Sequence, residues 1–523
     1  MTETGPVGAA GTATAEAVEP GRTVAVVGTG TMGQGIAQVA LVSGHTVRLY
    51  DAVPGRARSA AEAIAGRLDR LVEKGRLGPA ERDAARTRLS GAEALADLAD
   101  SALVVEAVVE DLGVKRELFS ELEKVVADDC LLATNTSSLS VTEIAGALRV
   151  PGRFVGVHFF NPAPLLPLVE IVSGCATDET AATRAYATVK AWGKTPVRCA
   201  DTPGFIVNRV ARPFYAEAMR VFEEQGADPA TIDAVLRESG GFRMGPFELT
   251  DLIGQDVNEA VTRSVWEAFH QDPKFTPSLV QRRLVQSGRL GRKTGQGWYA
   301  YEEASGRPVP RTEPAEPAPG AVTLHGHLGP AQPLVALIEQ AGIKVRHKRS
   351  GSHLSLPSGG RLCLVDGRAS FESWDDEIVH FDLAHDYTAA TRIALSTAEG
   401  TSPETLREAV GLFQALGKQV SLIKDVPGMI VGRTVAMLVD LAMDAVERGV
   451  ASAEDIDTAM RLGVNYPAGP FEWAAELGYG TVAELLRALH DRYPTGRYAP
   501  GLGILRKAHE ENATKAAKDR DSR

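Results

Sequence analysis

Residues 22–33 read Arg22-Thr-Val-Ala-Val-Val-Gly28-Thr-Gly30-Thr31-Met32-Gly33, and this stretch decides the fold. A short apolar, β-branched run ends in three glycines at fixed spacing, and a helical pattern (IAQVALVSG, ending at Gly44) follows at once. Gly28 permits a tight turn, Gly30 lets the backbone approach a pyrophosphate, and Gly33 lets helix and strand pack closely. The helix N-terminus then offers N–H donors and partial positive charge to phosphates. Thr31 and Met32 sit inside the same turn. The next strand, 46–50, runs into Asp51, where a carboxylate would accept hydrogen bonds from an adenosine ribose and repel a 2′-phosphate. The pattern predicts a Rossmann-type α/β domain that binds NAD rather than NADP.

Outward from this turn, short β-branched runs alternate with helical stretches as far as Asp201, as a mostly parallel sheet requires. Strands are expected at 22–28, 46–50, 102–108, 130–134 and 154–158, and a long helix at 56–75. We divide the chain into a disordered tail (1–20), the NAD-binding domain (21–201), an all-α domain (202–301), a Pro-, Ala- and Glu-rich linker (302–329), a smaller α/β region (330–424), a second all-α domain (425–510) and a frayed tail (511–523).

An internal repeat supports the second half of this division. Asp201-Thr-Pro-Gly-Phe-Ile-Val-Asn-Arg209 matches Asp425-Val-Pro-Gly-Met-Ile-Val-Gly-Arg433, and Gly245-Pro-Phe-Glu248 matches Gly469-Pro-Phe-Glu472, both 224 residues apart. Ile232-Asp233 and Ile456-Asp457 share that offset. The helical module therefore occurs twice, each time after an α/β region. The second α/β region has no glycine turn, Glu170 becomes Ala394 and Asn208 becomes Gly432 at the same offset, so one active site per chain is expected.

Ligands in such sheets sit beyond the carboxyl ends of strands. Asn135-Thr-Ser137-Ser138 lies there; either serine could cap the following helix, and we assign Ser138 the cap and Ser137 the ligand. His158 ends another strand, and Glu170 sits in the apolar run LPLVEIV. A carboxylate buried there needs a partner, which a neighbouring His would supply. Such a dyad suits general base work, and an ion pair that is only structural fits the spacing equally. Asn208 opens the first helical module and is lost in the second copy, which points to a ligand rather than to the building of the module.

Taken together, VAVVGTGTMGQGIAQVA, VVEAVVEDLGVKRELF, ATNTSSLS, GVHFFNPAPLLPLVEIV, DTPGFIVNR, GPFELTDLIG and GRKTGQGWY resemble the NAD-dependent L-3-hydroxyacyl-CoA dehydrogenase family over about residues 22–300. The long form, with its second helical module, resembles the 3-hydroxyadipyl/3-hydroxybutyryl-CoA dehydrogenases of phenylacetate catabolism. The resemblance implies oxidation of an (S)-3-hydroxyacyl-CoA to a 3-ketoacyl-CoA, in fatty-acid or phenylacetate-type breakdown. His158 would be the base, Glu170 its electrostatic partner, and Ser137 and Asn208 would bind the substrate oxygen. Ser137, Glu110, Lys115 and Lys293 match cofactor contacts. Lys74 falls at a CoA-binding position, and Arg67, seven residues before it, adds positive charge; a solvated helix face explains both equally well. In related single-copy enzymes the helical surface forms a homodimer, so the chain is expected to be a monomer with an internal pseudo-dimer or a homodimer.

The composition bounds these readings. In 523 residues, Asp plus Glu (67) outnumber Lys plus Arg (56), which argues against nucleic acid or a membrane surface as partner. No apolar run is long enough to span a bilayer. The four cysteines are scattered without a Cys-x-x-Cys, so neither a zinc site nor a disulfide framework is expected, and a reducing cytoplasm fits. Two rival functions remain at this stage: a sugar-acid 3-dehydrogenase of the same superfamily, and a non-catalytic NAD-binding protein.

Overall fold

The computed structural model describes residues 16–302, 308–372 and 377–521. The chain falls into two compact units, divided in sequence between Phe205 and Ile206.

The first unit is built from β1 (Thr23–Val27), α1 (Thr31–Val42), β2 (Thr46–Tyr50), α2 (Arg56–Glu73), α3 (Pro79–Thr87), β3 (Leu89–Gly91), β4 (Ser101–Glu106), α4 (Leu112–Val125), β5 (Leu131–Thr134), α5 (Val141–Ala145), β6 (Phe154–Phe159), β7 (Leu168–Ser173), α6 (Glu179–Ala191) and β8 (Thr195–Ala200). Its eight strands lie in the order β3-β2-β1-β4-β5-β6-β7-β8. All neighbours are parallel except β6 and β7, which run antiparallel. Helices cover such a sheet on both faces, which is why its central strands read as continuous apolar runs. Val24, Val26, Ile36, Leu49, Leu68 and Val105 share one buried core.

One expectation changes here. Residues 16–20, assigned to the disordered tail, belong to this unit. Val18 is buried, and its amide donates to Thr188 Oγ1 at 2.9 Å. A single Val in an Ala- and Glu-rich stretch carries no periodic signal, so only its burial reveals it. Residues 1–15 of that tail lie outside the described residues.

The second unit opens with α7 (Val207–Val210), α8 (Arg212–Glu223), α9 (Pro229–Glu238), α10 (Pro246–Ile253), α11 (Gln255–Ala268) and α12 (Leu279–Gln286). A second α/β region follows: β9 (Ala321–Gly326), α13 (Pro333–Gln340), β10 (Lys344–Lys348), β11 (Ser352–Ser355), β12 (Arg361–Leu364), β13 (Ile378–Phe381), β14 (Arg392–Thr397), α14 (Pro403–Ala415) and β15 (Gln419–Leu422). The chain closes with α15 (Val431–Glu447), α16 (Ala453–Gly463), α17 (Pro470–Leu477), α18 (Tyr479–Arg492) and α19 (Leu502–Asp521). The second sheet runs β10-β9-β11-β12-β13-β14-β15. Two further corrections arise. Strand β9 falls inside the stretch read as linker, where the Pro-rich composition masked the alternation in Ala-Val-Thr-Leu-His-Gly. The last residues, read as a frayed tail, continue α19 to Asp521.

The repeat extends well beyond the helical module. Strands β6, β7 and β8 and helix α6 begin at 154, 168, 195 and 179, whereas β13, β14, β15 and α14 begin at 378, 392, 419 and 403, each 224 later. The pairing is repeated too, antiparallel for β13–β14 and parallel for β14–β15. The shared Gly-Pro-Phe-Glu motif has a common cause. Asp233 accepts from the amides of Phe247 and Glu248 at 2.9 Å each, and Asp457 accepts from Phe471 at 2.9 Å. A Cβ at Gly245 or Gly469 would collide with those carboxylates.

The two helical modules pack on each other through α8 and α15. Glu217, fully buried, accepts from Arg497 Nε at 2.9 Å, Arg433 Nε at 3.2 Å and the Tyr498 hydroxyl at 2.7 Å. The repeat-equivalent arginines each cross to the other module: Arg209 to Asp444 at 2.6 Å, and Arg433 to Glu224 at 2.8 Å. Lys274 likewise pairs with Asp440. The two arginines thus reach across in opposite directions, as at an approximate two-fold interface within one chain, but the acids they meet are not repeat counterparts, since the position 224 before Asp444 is Arg220.

Candidate active site

The glycine turn has the geometry that a dinucleotide needs. Gly28 has φ +96°, and a Cβ there would come within 2.5 Å of the Ala107 carbonyl oxygen. A Cβ on Gly33 would run into the Gly28 carbonyl, whereas at Gly30 there is open space. Helix α1 has neither a side-chain cap nor an acidic residue in its first turn, so its leading amides suit a pyrophosphate. Asp51 ends β2, and its Oδ2 accepts from the Thr29 amide (3.0 Å) and hydroxyl (2.6 Å) while Oδ1 accepts from Val53 N (3.1 Å). Burial pushes the Asp51 carboxyl up, but these donors and Arg56 outweigh it and hold it below the usual range. An anion fixed at this position suits the ribose hydroxyls and disfavours a 2′-phosphate. The residues present fit NAD.

At the other end of the sheet His158 and Glu170 stand directly opposite each other on β6 and β7. Nδ1 of His158 lies 2.6 Å from Oε2 of Glu170, and both side chains are buried, 5% and 1% exposed. Phe160 and Phe205 pack against the imidazole, with ring centroids at 4.5 and 5.8 Å. Asn135 Oδ1 accepts from Phe159 N at 2.9 Å and ties the end of β5 to the end of β6.

Glu110 organises the loop that carries Ser137. One oxygen accepts from Thr136 Oγ1 (2.7 Å), the Ser137 amide (2.9 Å) and Ser138 Oγ (2.9 Å), and the other lies 3.2 Å from Lys115 Nζ. Burial alone would raise the Glu110 carboxyl, but the Lys115 ammonium and these hydrogen bonds bring it down to about 2. Lys115 itself is 1% exposed and donates to Glu106 at 2.6 Å. The helix cap expected at Ser138 belongs to Ser140, whose hydroxyl accepts from Glu143 N. Asp201 reinforces that turn, accepting from Ser140 Oγ and Thr142 N at 2.7 Å each.

The remaining site candidates are more scattered. Arg67 donates to Gln34 on α1, and Lys74 is exposed at the end of α2. In the second unit, Asn208 lies on α7 and Lys293 is held by Asp256 at 2.6 Å. Sequence reasoning missed Glu106, which also accepts from Thr134 Oγ1 at 2.6 Å and joins β4, β5 and α4. The signal was present: Glu106, like Glu170, is a carboxylate inside an apolar strand, and Lys115 is the cation that answers it.

The second half does not repeat the His–Glu pair. Asp382 stands where the offset places the counterpart of His158, and its amide donates to Ala394, the counterpart of Glu170, at 3.0 Å. Its buried carboxylate accepts from Ile430, Val431 and Gly432 at 2.9, 2.8 and 3.0 Å, at the start of α15. The position that matches His158 thus holds a clasp between the second sheet and the second helical module. A Cβ at Gly432 would lie 2.9 Å from Val365 Cγ1. Gly432→Asn is therefore expected to gain no activity and to lose about 1–3 kcal/mol of stability by overpacking. Urea unfolding beside a dehydrogenase assay checks this, and an unchanged midpoint would contradict it.

A glycine turn built for a dinucleotide and a buried His–Glu dyad on the same sheet define an NAD-dependent oxidoreductase. The model of the 3-hydroxyacyl-CoA dehydrogenase NAD binding domain matches residues 23–202, that of the C-terminal domain matches twice, at 204–301 and 428–520, and a 3-hydroxybutyryl-CoA dehydrogenase reduced Rossmann-fold domain matches 362–427. The chain belongs to the 3-hydroxyacyl-CoA dehydrogenase family. It is 43% identical to the 3-hydroxyadipyl-CoA dehydrogenase of Escherichia coli over 92% of this chain and 96% of that protein. It is 40% identical to a 3-hydroxybutyryl-CoA dehydrogenase of Mycobacterium tuberculosis over 53% of this chain and 98% of that one. The crystal structure of an Escherichia coli 3-hydroxybutyryl-CoA dehydrogenase aligns with a TM-score of 0.87 at 41% identity, covering 95% of this chain and all of that one. Among the described residues, no helix is long and apolar enough to cross a membrane.

Proposed function

We propose that the protein oxidises (S)-3-hydroxyadipyl-CoA or (S)-3-hydroxybutyryl-CoA to the 3-ketoacyl-CoA, in the cytoplasm, as a step of fatty-acid or phenylacetate-type degradation. The observation that carries this reading is the His158–Glu170 dyad at 2.6 Å. With Nδ1–H donated to Glu170, Nε2 of His158 keeps its lone pair and takes the proton from the 3-hydroxyl. Glu170 stabilises the imidazolium that forms. NAD⁺ supplies the acceptor for the C3 hydride when bound. Ser137 and Asn208 orient the substrate oxygen, and Glu110 fixes the Ser137 loop. Lys115 acts on the cofactor site through Glu110, because its ammonium is buried against Glu106 and Glu110. Lys293 contributes to the cofactor site, and Arg67 and Lys74 supply local positive charge for the CoA phosphates. The packing of α8 on α15 supports a monomer with an internal pseudo-dimer. The test is NADH loss with acetoacetyl-CoA. Turnover is expected, and its absence together with oxidation of a free sugar acid by NAD⁺ would reject the proposal.

A further inference from the structure

Strands β6 and β7 carry His158 and Glu170, and residues 160–167 connect them. This connection is longer than the roughly two to five residues of a tight hairpin loop, so the turn itself gives it little support. Support comes from outside. Lys194, at the start of β8, donates from Nζ to the carbonyls of Ala163 at 2.6 Å and Leu166 at 2.8 Å. The amide of Thr195 donates to the Pro167 carbonyl at 2.8 Å. An ammonium has only donors, so it can hold two carbonyls of a loop whatever side chains the loop carries. Burial pulls the Lys194 ammonium below the usual lysine range, and among the described residues no neighbouring carboxylate offsets this.

The second half contains the same clasp. Lys418, at the repeat offset from Lys194, donates to the carbonyls of Tyr387 at 2.6 Å and Ala390 at 2.8 Å, and Gln419 N donates to Thr391 O at 2.8 Å. Every donor and acceptor here is the repeat counterpart of one in the first copy. Inside the loops, Leu166 N donates to Pro162 O at 3.1 Å and Ala390 N to Asp386 O at 2.9 Å, again matched positions. Yet Asn161-Pro-Ala-Pro-Leu-Leu-Pro167 and His385-Asp-Tyr-Thr-Ala-Ala-Thr391 share no residue at matched positions. A loop shape that survives replacement of its whole sequence is set by something outside the loop, and the lysine is the element both copies keep. In the first copy that loop borders the dyad. Phe160 packs on the His158 ring at 4.5 Å, and one strand pair, Phe159↔Val169, separates His158↔Glu170 from the loop.

We infer that Lys194 is a positioning residue of the dehydrogenase: by holding the carbonyls of Ala163 and Leu166 it fixes the ends of β6 and β7 and keeps His158 within hydrogen-bond distance of Glu170. This rests on the proposed function, and the repeat supplies the control. Lys194→Met and Lys418→Met remove the same two hydrogen bonds at equivalent places, one beside the dyad and one where no His–Glu pair exists. Both variants should lower the urea midpoint and speed amide exchange in their own loop, at Leu166 and Ala390 respectively. Only Lys194→Met should lower kcat with acetoacetyl-CoA and NADH, by roughly 10- to 100-fold, the effect of a displacement of about 1 Å at the reacting groups. The KM values for both substrates should stay within about threefold, because the loss falls on the chemical step. If Lys194→Met does not fold, Lys194→Gln replaces it; its two amide donors sit on a shorter arm, and kcat should fall in the same direction by less. Wild-type kcat in the Lys194 variant overturns the inference, as does a fall confined to KM or an equal fall of kcat in Lys418→Met. No turnover by the wild type rejects the proposed function, whereas wild-type turnover with no difference between the two variants rejects the positioning role alone.

Discussion

His158→Gln is expected to lower kcat by about 10²–10⁴, the range for loss of a positioned general base. Gln keeps the size and a hydrogen bond to Glu170, so the strand pair His158↔Glu170 should survive and the protein should fold. It has no lone pair of suitable basicity for the 3-hydroxyl proton. NADH affinity should be unaffected, because the glycine turn and Asp51 lie on other strands of the sheet. Steady-state kinetics with acetoacetyl-CoA, alongside NADH binding by fluorescence, separates the two effects. Near wild-type turnover would remove His158 from the chemistry and leave the dyad a structural ion pair.

The second large effect is on stability. Glu217→Gln should cost about 3–5 kcal/mol, because it removes the shared anion between two fully buried guanidiniums. Burial alone would push the Glu217 carboxyl up, but Arg497 and Arg433 hold it below the usual range, so the folded state depends on its charge. Gln fills the same volume, and the cost would therefore report electrostatics rather than a cavity. The unfolding midpoint in urea is the measurement. A shift of less than about 1 kcal/mol would mean that Glu224 and water absorb the charge of Arg433 and Arg497.

Much of this molecule can be read from local signals. Spacing among Gly28, Gly30, Gly33 and Asp51 identifies the cofactor turn because backbone sterics there tolerate few other residues. The 224-residue offset identifies the duplication because matched motifs are local in sequence. Other features carry no local signal. Val18 packs on α6 from within a polar stretch, β9 hides behind prolines, and Ser140 takes the cap expected at Ser138 because Asp201, 61 residues away, supports it. Glu106 was missed although its position in an apolar strand already demanded a cation, and Lys115 provides it.

The amino-acid sequence by itself determined the Rossmann turn, the preference for NAD, the residue types of the dyad and the presence of two helical modules, all of which depend on neighbours a few residues apart or on a fixed offset. Only the tertiary structure decided that His158 and Glu170 face each other across an antiparallel strand pair, and that Asp382, at the position the offset matches to His158, clasps the start of a helix in the second module. Those facts depend on which distant side chains burial brings together, and desolvation makes each such pairing decisive: a charge that water would screen anywhere on the surface must, once buried, find a specific partner.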